Sequence, residues 1–397
     1  MLALLAILPL LVTACDDGET NGAGESGRFV YYCIGAPPSA VELRRHDLDE
    51  QRDALLSSER VVSISDVAAN GRVLFQTQTG DQWPFARQLY GRCEGGQIVP
   101  VPMPVSPDPA VEYLSVATDG TPGARLMTIS HAGHHAAFFS YARPVGSTDS
   151  TAWTFHLCVF DCGSWTMNTA DLGACLQEHF TRTQPGFVPN HFIPSAVWLS
   201  HDGSVAAMQV EARRMEHHLV TASRTVLLGG TLPQLSVLAV HPTMDWNATV
   251  FDGATSQLYA LSINGAMRYD CRGGSGTPVS ISLPGSSGLA ACSGGSGEIA
   301  WYDSNSPVIS ILRLSDGRLQ RIALDRARLE TQFPDAPWLL GEDGWCGMSP
   351  DGEWIAVVVR HAQDEGLYVM RRDGSDPRRL ARGAFAVPPV VSDVVPL

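Results

Sequence analysis

The chain has 397 residues, 44% of them hydrophobic, and carries 27 basic against 41 acidic side chains, a net charge of −14. Every basic residue is arginine, and the absence of lysine excludes a Walker-type phosphate loop, Schiff-base chemistry and a Ser–Lys pair. The acidity argues against nucleic acid, whose binding relies on neutralising phosphates, and against a basic patch for anionic lipid headgroups.

Residues 2–12 form an apolar run of signal-peptide size, too short to span a bilayer. The run leads into Val12-Thr13-Ala14-Cys15, which resembles the lipobox of bacterial lipoproteins. That resemblance implies that Cys15 is lipidated and becomes the mature N-terminus. Residues 16–27 (DDGETNGAGESG) carry no apolar side chain larger than Ala and read as a solvated tether. The expected organisation is a signal peptide at 1–14, a tether at 15–27 and one folded body at 28–397.

The body is organised by repeats. The clearest unit is Ser349-Pro350-Asp351-Gly352 followed by the apolar run 354–357, a second strand at 367–370, the turn Asp373-Gly374 and a short segment at 378–380. The first turn recurs at Ser200-His201-Asp202-Gly203 and at Ser130-His131-Ala132-Gly133. Weaker copies start at Asn70-Gly71, Ser296-Gly297 and Ser26-Gly27, and a degenerate one surrounds Asp245-Trp246 before a strand at 248–251. The second strand and its turn recur at 258–260 with Asn264-Gly265, and at 309–311 with Asp316-Gly317. Asp-Gly and Asn-Gly supply the positive φ of tight strand connections, and the flanking runs are strand-sized and rich in β-formers. Seven units spaced by about 54 residues suit four-stranded propeller blades with some long loops.

The order Ser-Pro-Asp-Gly, apolar strand, Leu-Tyr-Val, Asp-Gly resembles the TolB-like, WD-repeat-like β-propellers of bacterial envelopes, over roughly residues 28–385. It implies an all-β ring of seven four-stranded blades, or six if the stretch Val41-Glu42-Leu43-Arg44-Arg45 is helical. Residues 385–387 are a candidate for the strand that closes the ring. Small helices are predicted at 171–183, with Asp171 as N-cap and Leu172, Cys175, Leu176 and Phe180 at helical spacing, and at 325–332. Both lie in long inter-strand excursions, so Trp165 and Trp338 within those excursions are the aromatic candidates for a binding face.

Beyond Cys15 eight cysteines remain, and an exported chain sits where disulfides persist. The expected pairs are Cys271–Cys292, bracketing a Gly/Ser-rich loop, and Cys162–Cys175, stapling the helical excursion. A zinc site from Cys158, Cys162 and Cys175 competes, but lacks a closely spaced second pair. His131 and His201 occupy the slot of Pro350 and read first as turn residues. With His241 and His361 they are also weak metal candidates, because equivalent positions in successive blades ring the axis. There is no Gly-x-Ser-x-Gly elbow, no His-Glu-x-x-His pair, and the repeats run to the end of the chain.

The expectation is therefore a lipid-anchored envelope propeller acting as a non-catalytic protein-binding or scaffold module. It would be monomeric, without a cofactor, with an envelope protein or peptide as partner and its membrane link through Cys15. The alternatives are a His- or metal-dependent lyase or hydrolase at the central channel, and a carbohydrate-binding or surface-sensing module.

Overall fold

In the computed structural model, residues 27–394 are described apart from 36–40, 80–85, 93–96, 102, 107, 116–124, 148–152, 165, 218, 243–247, 263–264, 274–275, 280–291, 295–296, 304–307, 326, 328–330, 333, 335–344, 362–363 and 386–388. The signal peptide, Cys15 and the tether lie outside them.

Seven antiparallel sheets form the seven blades of a propeller. Blade 1 holds β1 (Gly27–Ile34), β2 (Glu42–Asp47) and β3 (Arg52–Ser57). Blade 2 holds β4 (Val61–Val67), β5 (Val73–Thr79), β6 (Ala86–Arg92) and β7 (Ile98–Pro100). Blade 3 has five strands: β8 (Val111–Ser115), β9 (Met127–Ile129), β10 (His135–Pro144), β11 (Thr154–Asp161) and β12 (Met167–Asp171). Helix α1 (Leu172–Thr183) follows, then blade 4 with β13 (His191–Leu199), β14 (Val205–Glu216), β15 (Leu219–Thr231) and β16 (Ser236–Pro242). Blade 5 holds β17 (Ala248–Asp252), β18 (Gln257–Ser262), β19 (Gly265–Asp270) and β20 (Thr277–Val279). Blade 6 holds β21 (Cys292–Gly294), β22 (Glu298–Asp303), β23 (Val308–Arg313) and β24 (Leu319–Ala323). Blade 7 holds β25 (Trp345–Met348), β26 (Trp354–His361), β27 (Asp364–Arg371) and β28 (Arg378–Arg382).

The last strand, β29 (Val390–Val394), returns to blade 1 and pairs with β1, Gly27 opposite Val394. One blade is thus built from both ends of the ring, a closure that leaves no open sheet edge at the seam. The closing strand lies a few residues beyond the expected 385–387; Phe385 instead makes an isolated bridge to Ile34. Residues 42–47 are strand β2, so the six-bladed alternative falls.

Each blade buries both faces, which explains why its strands read as continuous apolar runs rather than alternating ones. On β10, Ala137 and Phe139 join the core shared with blade 4, while Ala136 and Phe138 join the core shared with blade 2. On β26, Ile355, Val357 and Val359 face blade 6, whereas Ala356 and Val358 face blade 1. A core cluster occupies every blade-to-blade junction. Each fully buried Val, Leu or Phe contributes about 1.5–3 kcal/mol, so no blade is stable without its neighbours. The junction between blades 3 and 4 also takes in α1, through Leu172, Leu176 and Phe180. That helix starts where the sequence predicts, with Asp171 accepting from the Ala174 N–H at 2.9 Å. Of the second expected helix, 327, 331 and 332 are helical among the described residues.

Blade 5 departs from the expected register. The strand at 248–251 is its first strand, not its second, and the equivalent turn is Asp252-Gly253-Ala254-Thr255. Asp252 caps that turn by accepting from the Ala254 N–H at 3.0 Å and the Thr255 hydroxyl at 2.6 Å. Strand 258–260 is then the second strand of its blade, and Gly265 opens the third.

Two ends of the ring can now be distinguished. Connections between first and second strands, and between third and fourth, lie at the turn end. Connections between second and third strands, and from each blade to the next, lie at the loop end.

Candidate binding face

The repeated turns place their polar residues in one role. The Ser130 Oγ accepts from the His135 N–H at 3.1 Å, Ser200 from Val205 at 2.9 Å and Ser349 from Trp354 at 2.9 Å. Ser200 and Ser349 in turn donate to Asp202 and Asp351 at 2.6 and 2.5 Å. The Ser200 hydroxyl, with the N–H and hydroxyl of Ser204, holds the Asp202 carboxyl down at about 2. Pro350 sits within the Ser349-to-Gly352 turn, closed by the Gly352 N–H on the Ser349 carbonyl at 2.9 Å. The other turn-end connections repeat the device: Asp316 accepts from the Arg318 N–H and Asp373 from Ser375, with Gly317 and Gly374 at positive φ. Asn264 lies outside the described residues.

These turns also interlock. The Ala69 N–H donates to the His131 carbonyl, Ala132 to His201, and His201 to Gly253, tying blades 2 to 5 in series. A Cβ on Gly133 would sit 2.5 Å from the Asn70 side chain, and one on Gly203 2.6 Å from His135. The glycines therefore serve both turn geometry and close blade contact. Blades 6 and 7 are latched at this end by Glu298, whose side chain is 4% exposed and takes both terminal nitrogens of Arg372. Burial alone would raise the Glu298 carboxyl, but Arg372 and Arg313 hold it below the usual range.

Of the four candidate histidines, His131 and His201 meet, with ring centroids 4.8 Å apart. Burial, and then His201, pushes the His131 imidazole below its ordinary value. The other two do not join them. His241 is on β16, the outer strand of blade 4, with Nε2 3.0 Å from the Tyr269 hydroxyl. His361 ends β26, at the loop end of blade 7. The expected convergence fails because successive strand order sends these positions to different ends and radii of the ring. Among the described residues, no group of three or more His, Cys, Asp or Glu is placed to hold a metal ion. On the inner strands, Arg125 clasps both oxygens of Asp66 at 2.7 and 2.9 Å, linking blades 2 and 3; neither was singled out in the sequence.

The disulfide expectations are corrected. Cys162 packs in the junction of blades 2 and 3, whereas Cys175 lies on α1 with Sγ 4.0 Å from the Leu235 carbonyl. They belong to different junctions, and no disulfide joins them. Cys271 is a buried thiol in the junction of blades 4 and 5, pushed up to about 12 by burial. The Cys292 side chain lies outside the described residues.

The loop end of blades 3 and 4 differs from the turn end. The strands β14 and β15, of 12 and 13 residues, are the longest among the described residues, and their hairpin runs past the start of β13. Seven large hydrophobic side chains stand exposed among the described residues, and five of them are on segments at the loop end of blades 3 and 4. Val105 is 92% exposed on the connection entering blade 3, and Val145, 60% exposed, follows β10 of that blade. The Val145 N–H reaches back to the Ala110 carbonyl at 2.9 Å, joining these two segments. Val188 precedes β13, and Leu219, 70% exposed, opens β15 beside Val220. Trp165 and Trp338, the aromatics expected on a binding face, lie outside the described residues. Sequence reasoning missed the aliphatic face; its signal is the uncommon length of the β14–β15 hairpin.

Among solved structures, the chain is similar to prolyl oligopeptidase B from Galerina marginata, at 10% identity and a TM-score of 0.53, covering 92% of this chain and 51% of that one. It is similar to a Mycobacterium tuberculosis puromycin-hydrolyzing peptidase at 10% identity and a TM-score of 0.53, covering 89% and 53%. TolB from Acinetobacter baumannii matches at 11% identity and a TM-score of 0.45, covering 92% and 66%. The chain spans about half the length of the two peptidases. No family model and no curated protein matches the sequence. At these identities the likeness is one of fold alone; the chain's own seven sheets make it a seven-bladed β-propeller.

Proposed function

We propose that the protein is a non-catalytic binding propeller of the bacterial cell envelope, anchored by lipid on Cys15, whose loop end at blades 3 and 4 receives a protein partner. The concentration of five exposed aliphatics on the loop-end segments of two adjacent blades carries this reading. Exposed apolar side chains concentrated on one end of a fold point to an interaction surface, whereas ones scattered singly need no explanation. The turn end offers no comparable surface among the described residues, since its hydroxyls and carboxylates are engaged in capping and in latching blades together.

The test is capture from crosslinked envelopes with wild type and with the combined variant Val145→Asp, Leu219→Asp and Val220→Asp. A reproducible partner that the variant fails to retain is expected; equal capture by both would defeat the reading. The anchor is checked separately: labelled palmitate enters the wild type but not Cys15→Ser. The His131–His201 contact favours a second reading, a metal-dependent site at the turn end. Stoichiometric metal in the purified protein, lost in His131→Gln, would support it over the first.

A further inference from the structure

We infer that His156 and Asp171 form an acid-responsive switch on helix α1: protonation of His156 draws the Asp171 carboxylate from the helix N-terminus and loosens α1 together with the Phe187–Val188 segment behind it. The consequence for the partner rests on the binding reading above; the switch itself does not. His156 on β11 stands directly opposite Asp171 on β12. Asp171 is at the same time the N-cap of α1, accepting from the Ala174 N–H at 2.9 Å. One carboxylate is therefore shared between a titratable ring and the start of a helix. The first helical turn lies tight on the strand that carries the ring. A Cβ on Gly173 would fall 3.3 Å from the Asp171 Oδ1 and 3.5 Å from the Phe155 nitrogen. Helix α1 then fills the junction of blades 3 and 4 with Leu172, Leu176 and Phe180. Phe180 meets Phe187 edge-on at 5.1 Å, next to the exposed Val188, so loss of the cap reaches the loop-end face.

The surroundings of the ring set the direction of the response. Its Nε2 meets the Thr154 hydroxyl at 2.8 Å, and its Nδ1 is buried. The Tyr113 ring of β8 stands edge-on to it at 5.5 Å, and Ser140 of β10 lies opposite. Cys158, two residues on along β11, carries a thiol that burial pushes up to about 12. None of these three is charged near neutrality; among the described residues the charge that acts on the ring is Asp171. Burial, the larger influence, holds the imidazole below its ordinary value, and Asp171 opposes it. The capped form therefore keeps His156 neutral, whereas a form in which the ring reaches Asp171 or water binds the proton. That difference in proton affinity is what lets pH shift the balance between the two forms. Capping is fully supported above about pH 6.5 and weakens as pH falls through the lowered value of the folded ring. On α1 itself, His179 is held down by burial and then by Arg182, but it lies in the C-terminal half, away from the cap.

The experiment measures amide hydrogen exchange of the full chain in detergent at about pH 7.5 and about pH 5.5, corrected for the chemical exchange rate at each pH. Protection of residues 172–183 is expected to fall about fivefold at the lower pH, while that of 354–359 in blade 7 holds. Two variants are expected to abolish the fall: His156→Gln, which cannot titrate, and Asp171→Asn, which caps a helix as well as Asp but carries no charge. Absence of the fall in wild type, or the same fall in either variant, overturns the switch. Envelope capture at the same two pH values reads the consequence. Wild type is expected to lose at least about threefold of its partner in acid, and His156→Gln to retain it. If protection responds and capture does not, the switch does not govern the face; its regulatory part is overturned and the binding face stands. If no partner is captured at either pH, the binding reading fails, and the exchange measurement still decides the switch.

Discussion

The two ends of this ring are made from the same strands and treat them in opposite ways. At the turn end, Ser130, Ser200 and Ser349 cap their turns, Asp202, Asp252 and Asp351 brace theirs, and backbone bonds tie the turns of blades 2 to 5 in series. At the loop end of blades 3 and 4, Leu219, Val220 and Val145 stand in water. Residues at the first end stabilise the ring; those at the second do little for it. The contrast separates structural from interactive surface within one fold, and substitutions at each end should sort accordingly.

The largest effect is expected from Gly203→Ala. The residue sits at φ 75°, and a Cβ would fall 2.6 Å from the His135 side chain. Left-handed strain and the clash together should cost about 3 kcal/mol in chemical denaturation; a loss below about 1 kcal/mol would mean the blades separate freely at this end. Next comes Glu298→Ala, which strips the partner from Arg372 and Arg313. Because both arginines reach solvent, the loss should be about 2 kcal/mol, less than for a fully enclosed pair.

A smaller effect concerns pH. With its folded pKa held below the ordinary imidazole value, His131 stays neutral in the native ring while the unfolded chain takes up a proton. Its contribution is fully present above about pH 6.5 and is lost as pH falls from there through the lowered folded value. His156 and His179, also pushed down chiefly by burial, act in the same direction. Melting temperatures measured across this range should fall with acid, and His131→Gln should fall less steeply than wild type. A parallel slope would show that the His131–His201 contact does not matter to the ring. The smallest stability effect belongs to Leu219→Asp/Val220→Asp, within about 0.5 kcal/mol of wild type, because exposed side chains contribute little. A large destabilisation there would break the contrast between the ends.

Much of the fold was legible in the chain. Turn signals at Gly71, Gly133, Gly203, Gly297 and Gly352 each introduce the second strand of a blade, and Asp171 caps its helix. Blade 5 misled because Asp-Gly chemistry does not say which pair of strands a turn connects. There the first turn uses Asp252 with a positive φ at Ser256, a residue with no turn signature of its own. Cysteine spacing suggested Cys162 with Cys175, although they lie in different junctions, since loop closure is visible in sequence and the position of a junction is not. The apolar face was illegible for a related reason. Leu219-Val220 reads as core until it is known that the β14–β15 hairpin runs past the start of β13. Exposure here is set by the relative lengths of strands far apart in sequence.

The central claim is that partners meet the loop end of blades 3 and 4 and not the turn end. It is tested most directly by placing a photo-crosslinking amino acid at one position at a time in living cells: 145 and 219 at the loop end, 373 at the turn end, and 55 on the outer margin of blade 1. Discrete adducts from 145 and 219, absent from 373 and 55, are predicted. Adducts from 373, or spread evenly over all four positions, would contradict it.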